Sequence, residues 1–296
     1  MDISRHEASG SPVHRAAAPV VAVTARAGGH CRLRLRAPAI AADARPGQFV
    51  NVAPPLATTL LRRPLGVHRA IDGRDIELLF KAVGKGTIAL AAAREGDELD
   101  VIGPLGNGFD LEGDLPETAV LVAGGFGLAP LYPLAAALRG RADRIYLFVG
   151  TEEDLPLETS DSRVHLSFVD PDVKVTLPDF EALGARCRVA TLGDRPGFYK
   201  GLVTELVEKL LAGSEPLGRT KLYGCGPWAM LKKTAAIARE HGLDCDVLVE
   251  ERMGCGIGAC MSCAVLVHGD DGRPVYVRAC VEGPVFDARS VVWDAK

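Results

Sequence analysis

Between Val20 and Ile102 the hydrophobic positions come in short runs broken by Gly, Pro and Asp. Val20–Arg26, Cys31–Arg36, Gln48–Val52, Ile76–Phe80 and Glu98–Ile102 each read as a strand. In Cys-Arg-Leu-Arg-Leu-Arg-Ala the alternation puts polar and apolar side chains on opposite faces. Closely spaced strands with turn signals predict a small antiparallel barrel. One short helix, Ile88–Arg94, follows the Gly-rich turn Val83–Thr87. From residue 114 the pattern changes. Thr118–Ala123 is apolar without interruption, as in a parallel strand covered on both faces. It leads into Gly124-Gly125-Phe126-Gly127-Leu128-Ala129-Pro130, a helix to about Leu138 and a second strand, Arg144–Gly150. Further strands are predicted at Val164–Val169, Cys187–Thr191 and Lys221–Tyr223, with helices at Leu202–Leu211 and Pro227–Glu240. Near the C-terminus, Ala264–His268 and Pro274–Ala279 flank Asp270-Asp271-Gly272 as a hairpin. The fold class is therefore multi-domain, α/β plus β. A mobile tail spans 1–18, a barrel 19–113, a parallel α/β domain 114–241 and a small domain 242–296.

Composition narrows the function. The 296 residues are 48% hydrophobic with a net charge of −4, enough to bury cores and remain soluble. No basic excess points to nucleic acid or to an anionic membrane. No apolar run is long enough for a membrane span, and the N-terminus lacks the apolar core of a signal peptide. Cys31, Cys187, Cys225 and Cys245 are scattered and read as reduced, which fits a cytoplasmic protein.

The other four cysteines carry chemistry. Cys255, Cys260 and Cys263 are spaced C-x4-C-x2-C, and Cys280 follows after sixteen intervening residues. This is the plant-type spacing for a [2Fe–2S] cluster held by four thiolates. Gly254, Gly256, Gly258 and Ala259 leave backbone amides near the sulfurs, and the hairpin returns Cys280 to the loop. A structural zinc held by four thiolates and a pair of disulfides are the competing readings.

Glu-Arg-Met before the first of these cysteines, the Cys-Gly-Ile-Gly-Ala-Cys loop and the Cys-x-x-Gly-Pro-Val-Phe tail ending at Phe286 resemble a known family. They are similar to the C-terminal domain of the electron-transfer subunit of type B dihydroorotate dehydrogenase, in the ferredoxin reductase superfamily. The resemblance implies a FAD-binding barrel, an NAD-binding α/β domain and a [2Fe–2S] domain. It places FAD on Arg63, Pro64, Leu65 and Gly66, where Gly66 departs from the family's Ser. Arg63 would grip the pyrophosphate, since a guanidinium fork suits phosphate oxygens. Leu79, Phe80 and Lys81 would line the adenosine side, and Gly86 and Thr87 would touch the pyrophosphate at a helix start. Gly103-Pro104-Leu105-Gly106 resembles the segment that closes the flavin domain. Gly124, Gly125 and Gly127, with Pro130 replacing the third Gly of a Rossmann fingerprint, resemble the start of the superfamily's pyridine-nucleotide domain. Cys225, Gly226 and Pro227 would lie beside the nicotinamide. Glu152, Glu153 and Asp154 would favour NAD over NADP by accepting from ribose hydroxyls. Bland alternatives stand beside these: a solvated Arg62–Arg63 pair, a linker turn at 103–109, a buried Cys225 thiol and an exposed acidic loop.

The implied function is electron transfer. An FMN-containing catalytic subunit oxidises dihydroorotate, and electrons reach NAD⁺ through this chain, in a heterotetramer of two plus two. No residue is assigned as catalytic, and nothing resembles a dihydroorotate pocket. The apolar loop around Ile257, Ala259 and Met261 is the expected docking face. Two alternatives remain open. One is the reductase arm of another redox complex, of ferredoxin, sulfur or transhydrogenase type. The other is a zinc-stapled nucleotide-binding regulator.

Overall fold

The computed structural model describes residues 12–55 and 60–295. The chain forms two compact units. One holds the barrel with residues 249–286 and 290 onward. The other holds residues 110–248 and 287–289. The segment expected as a separate third domain thus belongs to the same unit as the barrel.

In the first unit, six strands close an antiparallel barrel in the order β1-β2-β5-β4-β3-β6. They are β1 (His14–Ala25), β2 (His30–Arg36), β3 (Phe49–Val52), β4 (Arg63–Ile71), β5 (Asp75–Lys81) and β6 (Glu98–Leu105). Helix α1 (Pro38–Asp43) lies between β2 and β3, and α2 (Lys85–Ala91) between β5 and β6. The alternation read from the sequence is the inside–outside alternation of the barrel. Leu33, Leu35, Val50, Val52, Leu65, Val67, Ile76, Leu78 and Val101 all turn into one core. Each such side chain contributes roughly 1.5–3 kcal/mol by leaving water.

Two expectations change in this region. Of the tail predicted over residues 1–18, residues 1–11 lie outside the described residues, and His14–Ala18 are in β1 and pair with Leu99–Gly103. Ala16 and Ala18 face inward there, and Arg15 grips Asp100 at 2.9 Å. Alanine carries too little hydrophobic contrast for this alternation to stand out. Arg63–Ile71, which reads in the sequence as a motif, is a strand whose Leu65 and Val67 are core residues.

The second unit is a parallel sheet. Its strands are β7 (Thr118–Gly124), β8 (Arg144–Gly150), β11 (Ala185–Thr191), β12 (Tyr199–Lys200), β13 (Thr220–Cys225) and β14 (Asp244–Leu248), after the short antiparallel pair β9 (Ser160–Asp161) and β10 (Val175–Thr176). The six parallel strands lie in the order β12-β11-β8-β7-β13-β14. Helices α3 (Leu128–Leu138), α4 (Pro178–Glu181), α5 (Val203–Ala212) and α6 (Trp228–Glu240) connect them. On α5 the residues Val203, Leu206, Val207 and Leu210 are buried, the i, i+3, i+4, i+7 stripe of a helix lying on a sheet. The strand predicted at Val164–Val169 is a loop. Its Leu166 plugs the interior, and the buried Arg188 donates to the Val164 carbonyl. Its apolar residues fill a gap rather than line a sheet face.

The C-terminal segment carries the hairpin β15 (Ala264–His268) and β16 (Pro274–Arg278), then β17 (Val285–Asp287). In the hairpin Ala264 pairs with Arg278 and His268 with Pro274.

Candidate functional site

The loop from Gly254 to Cys263 wraps its own sulfurs in backbone amides. Cys255 and Cys260 exchange bonds, each amide donating to the other's Sγ at 3.3 Å. Ile257 N donates to Cys255 Sγ at 3.5 Å, and Gly258 N to Cys280 Sγ at 3.2 Å. Gly256 and Gly258 have φ of +68° and +83°, a region L side chains rarely occupy. The loop therefore needs glycine at both positions to turn its amides inward. The hairpin brings the fourth thiol back: Ala279 N donates to the Cys263 carbonyl at 2.9 Å, and Cys280 and Cys263 interact through their side chains. The thiols fall into two pairs, Cys255 with Cys260 and Cys263 with Cys280.

This donor set fits a two-iron cluster. It is all sulfur, and amide donors surround it as they would surround anionic thiolates. Among the described residues, no three His, Cys, Asp or Glu side chains converge as they would around a single metal ion. Four thiolates split into two pairs suit a binuclear group better than one tetrahedral zinc. No disulfide joins any of the eight cysteines. The environments of the thiols differ. Ser262 accepts the Gly254 amide at 2.7 Å and lies 3.2 Å from Cys260 Sγ. Its hydrogen bonds, then those from Cys255, pull the Cys260 thiol down to about 6, so it offers a thiolate at neutral pH. Burial, then the neighbouring Cys263, pushes Cys280 the other way.

Two side chains fasten this loop within its unit, and a third fastens the chain after Cys280. Asn51 on β3 donates from Nδ2 to the Cys255 carbonyl at 2.8 Å. Arg278 donates from Nη1 to the Gly258 carbonyl at 2.9 Å, and the Glu282 carboxylate holds that guanidinium through Nε at 3.1 and 3.2 Å and through Nη2. Asn107, just past β6, donates to the Glu282 and Val285 carbonyls at 3.0 and 2.9 Å and accepts from Val285 N at 3.0 Å. A side chain at Gly106 would strike Pro284 at 2.5 Å, so glycine there lets the two strands of chain meet. The segment read as a closing turn of the barrel is thus also the anchor for the chain after Cys280.

Arg62 and Arg63 part company. Arg62 bonds the Asp100 carboxylate through Nη2 and the Asp100 carbonyl through Nη1 at 2.8 Å. Arg15, then Arg62, hold the Asp100 carboxyl down to about 2. Among the described residues Arg63 is tied only to the nearby Leu61 and Arg62 carbonyls, at 2.7 and 3.2 Å. Its guanidinium lies over the first turn of α2, where a Cβ on Gly86 would come within 2.3 Å of Arg63 Nε. A cation over bare backbone at a helix start has the chemistry to take a phosphate. Thr87 contributes differently from the expectation. Its Oγ1 accepts from Val83 N and Gly84 N at 3.1 Å and donates to the Gly84 carbonyl, so only its amide is left for a ligand. Pro64 and Gly66 sit opposite Asn51 and Phe49, and Leu65 is in the barrel core. The Phe80 side chain also turns into the core, which leaves its backbone to face a ligand; Leu79 and Lys81 point the other way along β5.

In the second unit the loops after β7 and β13 touch backbone to backbone. A Cβ on Gly127 would lie 2.0 Å from the Cys225 carbonyl oxygen, and one on Gly226 would lie 2.7 Å from Gly124 N. Gly125 adopts φ +53°. These glycines bring two loops together at the carboxyl ends of adjacent parallel strands, the place where open α/β sheets bind ligands. Cys225 is fully buried, so a ligand would meet its backbone. The acidic run after β8 is more committed than its sequence implies. Glu152 accepts from Leu192 N at 3.1 Å, and Asp154 pairs with Arg195 at 3.2 Å. Arg195 lies 4.3 Å from the Phe198 ring centroid, and these residues border a cavity with Leu155, Leu157, Glu158 and Thr159.

Asn51, Asn107, Arg278 and Ser262 were not singled out from the sequence. Asn51 left one signal, a polar residue inside the apolar run Phe49–Val52, since buried amides need partners.

Residues 250–292 match the iron-sulfur cluster binding domain of dihydroorotate dehydrogenase B. The chain is 35% identical over 263 residues to the dihydroorotate dehydrogenase B (NAD⁺) electron transfer subunit of Desulforamulus reducens, covering 87% of this chain and 90% of that protein. It is 33% identical to the same subunit of Enterococcus faecalis, over 84% and 87%. Among solved structures it superimposes on a chain of the NADH-dependent reduced ferredoxin-NADP oxidoreductase with a TM-score of 0.74 and 30% identity, covering 94% and 91%. Amycolatopsis cytochrome P450 reductase GcoB shares the fold, with a TM-score of 0.60 at 23% identity over 77% and 67%. With the cluster loop, the barrel and the parallel sheet all in these relatives' pattern, the chain belongs to the family of electron transfer subunits of NAD⁺-linked dihydroorotate dehydrogenase B.

Proposed function

We propose that this chain carries electrons between a dihydroorotate-oxidising catalytic subunit and NAD⁺. The observation that supports it most is the four-cysteine loop, wrapped in amides and fastened to a barrel whose Arg63 guanidinium lies over Gly86. The balance closes over the assembly: dihydroorotate loses two electrons and two protons to become orotate, NAD⁺ takes two electrons and one proton, and one proton is released. A bound flavin exchanges electrons singly or in pairs and a two-iron cluster singly, which joins a hydride acceptor to a one-electron carrier.

In this reading Cys255, Cys260, Cys263 and Cys280 hold the cluster, and the amides of Cys255, Ile257, Gly258 and Cys260 offset its negative charge. Arg63 and the first-turn amides of α2 hold the FAD pyrophosphate, with Pro64, Leu65 and Gly66 beside the ring. The backbone of Gly66 does what a hydroxyl does in relatives carrying Ser there. Leu79 and Lys81 lie towards the adenosine. Gly124, Gly125, Gly127, Cys225, Gly226 and Pro227 receive the pyridine nucleotide, NAD(H) in preference to NADP(H). Ile257 and Met261, 53% and 54% exposed among otherwise small residues, form the docking face for the FMN-containing subunit, in an assembly of two plus two. No helix among the described residues is long and apolar enough to cross a membrane. The buried thiols Cys31, Cys187, Cys225 and Cys245, none of them in a disulfide, support a reducing, cytoplasmic setting.

The test is compositional and kinetic. Protein purified without oxygen should contain FAD, with two irons and two acid-labile sulfides per chain. It should oxidise NADH with artificial acceptors and leave dihydroorotate untouched. Stoichiometric zinc without sulfide would overturn the reading. A second reading, the reductase arm of another redox complex, rests on the 30% identical ferredoxin-NADP oxidoreductase chain. It takes over if a type B catalytic subunit fails to bind.

A further inference from the structure

Asn51 occupies an unusual place. Its neighbours Val50 and Val52 turn into the barrel core, so the strand's alternation aims Asn51 outward. It is nevertheless only 1% exposed, because the cluster loop covers it. Its Nδ2 donates to the Cys255 carbonyl, and its Oδ1 is buried with no hydrogen-bond partner among the described residues. A buried unpaired acceptor costs stability and is retained where something else fixes the side chain. The loop has closed onto it: a Cβ on Gly256 would lie 2.4 Å from Nδ2, closer than van der Waals contact allows. The same residue pairs across the sheet with Pro64, in the strand that begins at Arg63. One side chain therefore ties the first cluster cysteine to the strand next to the proposed flavin site, across 204 positions of sequence.

We propose that Asn51 is a positioning residue for electron transfer, holding the Cys255–Gly256 stretch of the cluster loop at a fixed distance from the strand Arg63–Gly66. The inference rests on the cofactor assignment above. Electron tunnelling falls off exponentially with distance, so a loop that drifts on its barrel slows transfer even when both groups stay bound. Losing the amide donor removes the one side-chain bond from β3 to this loop seen among the described residues, while Arg278 still holds Gly258 from the other side. The cysteine ligands are untouched, so the cluster should stay in place with a looser attachment.

The experiment compares wild-type holoprotein with Asn51→Leu and Asn51→Asp, which keep the branched shape and remove the donor; only Asn51→Asp also keeps the volume. Rapid mixing with NADH separates flavin reduction from the cluster reduction that follows. Iron and sulfide content, the cluster's electron paramagnetic resonance spectrum and hydrogen exchange at residues 255–260 are read on the same samples. We expect cluster reduction to slow roughly ten- to a hundredfold, the usual effect of losing an outer partner of a metal ligand. Flavin reduction should keep its rate, and exchange at residues 255–260 should quicken. Wild-type cluster reduction together with unchanged exchange in both variants would overturn the proposal. If Asn51→Leu does not fold, Asn51→Asp carries the comparison. If wild-type protein binds neither FAD nor cluster, the functional reading has failed instead, and hydrogen exchange alone still decides whether Asn51 holds the loop.

Discussion

Replacing Arg63 and Arg62 by alanine, one at a time, should produce opposite phenotypes from adjacent residues of the same type. Among the described residues Arg63 bonds only carbonyls one and two residues away, and its guanidinium overlies Gly86. Folding needs it little. If it grips a pyrophosphate, it supplies charge-assisted hydrogen bonds worth about 1.5–3 kcal/mol each. Discounted for partial exposure, Arg63→Ala should cost about 2–4 kcal/mol of FAD binding, a rise in Kd of roughly thirtyfold to a thousandfold. Arg62 is the reverse case. It joins β6 through both the carboxylate and the carbonyl of Asp100, and its side chain is 22% exposed. Its removal leaves Asp100 with the largely exposed Arg15 alone. Arg62→Ala should therefore cost about 1–3 kcal/mol of stability, lowering the Tm of the apoprotein by several degrees, and shift the FAD Kd less than about threefold. Fluorescence titration of flavin-free protein gives the Kd, and melting the same flavin-free samples avoids stabilisation by ligand. Equal loosening of FAD by the two variants, or undiminished binding by Arg63→Ala, would refute the division of labour.

Three further outcomes are expected. Asp100 titrates at about 2 in the folded chain, below the unfolded value of about 3.9, so its stabilisation is full above pH ~4 and disappears as pH falls through about 2; the acid-induced loss of Tm should shrink in Asp100→Asn. Ser262→Ala removes a hydroxyl 3.2 Å from Cys260 Sγ and should move the cluster's midpoint potential to more negative values in a redox titration, and an unchanged potential would show that the hydroxyl serves only Gly254. Ile257→Glu puts a charge on the exposed apolar loop and should weaken association with the catalytic subunit in sedimentation analysis while NADH oxidation with artificial acceptors continues; undisturbed association would move the docking face elsewhere.

What could be read from the sequence was what the chain carries locally. The cluster loop, the Gly-rich turn after β7 and Cys225-Gly226-Pro227 are contiguous, and their glycines mark sharp turns and close approaches. The barrel was legible wherever large and charged residues alternate, as in His30–Arg36, and hidden where alanines do so, as in His14–Ala18. The segment Val164–Val169 misled because apolar residues plugging a loop look like a strand until Arg188 is seen holding it. The fastening of the cluster loop was invisible for a different reason. Asn51 to Cys255 spans 204 positions and Asn107 to Val285 spans 178, and side-chain-to-backbone bonds of this kind leave no periodicity. They also explain why the cluster segment packs in one compact unit with the barrel.

The central claim is that this chain connects dihydroorotate oxidation to NAD⁺. It is tested most directly by following NADH formation from dihydroorotate and NAD⁺ by a type B catalytic subunit, with and without this chain. We predict no NADH from either protein alone and steady formation from the mixture, lost again when Cys263→Ser disrupts the cluster. A catalytic subunit that makes no NADH with the intact, cofactor-loaded chain would contradict the account.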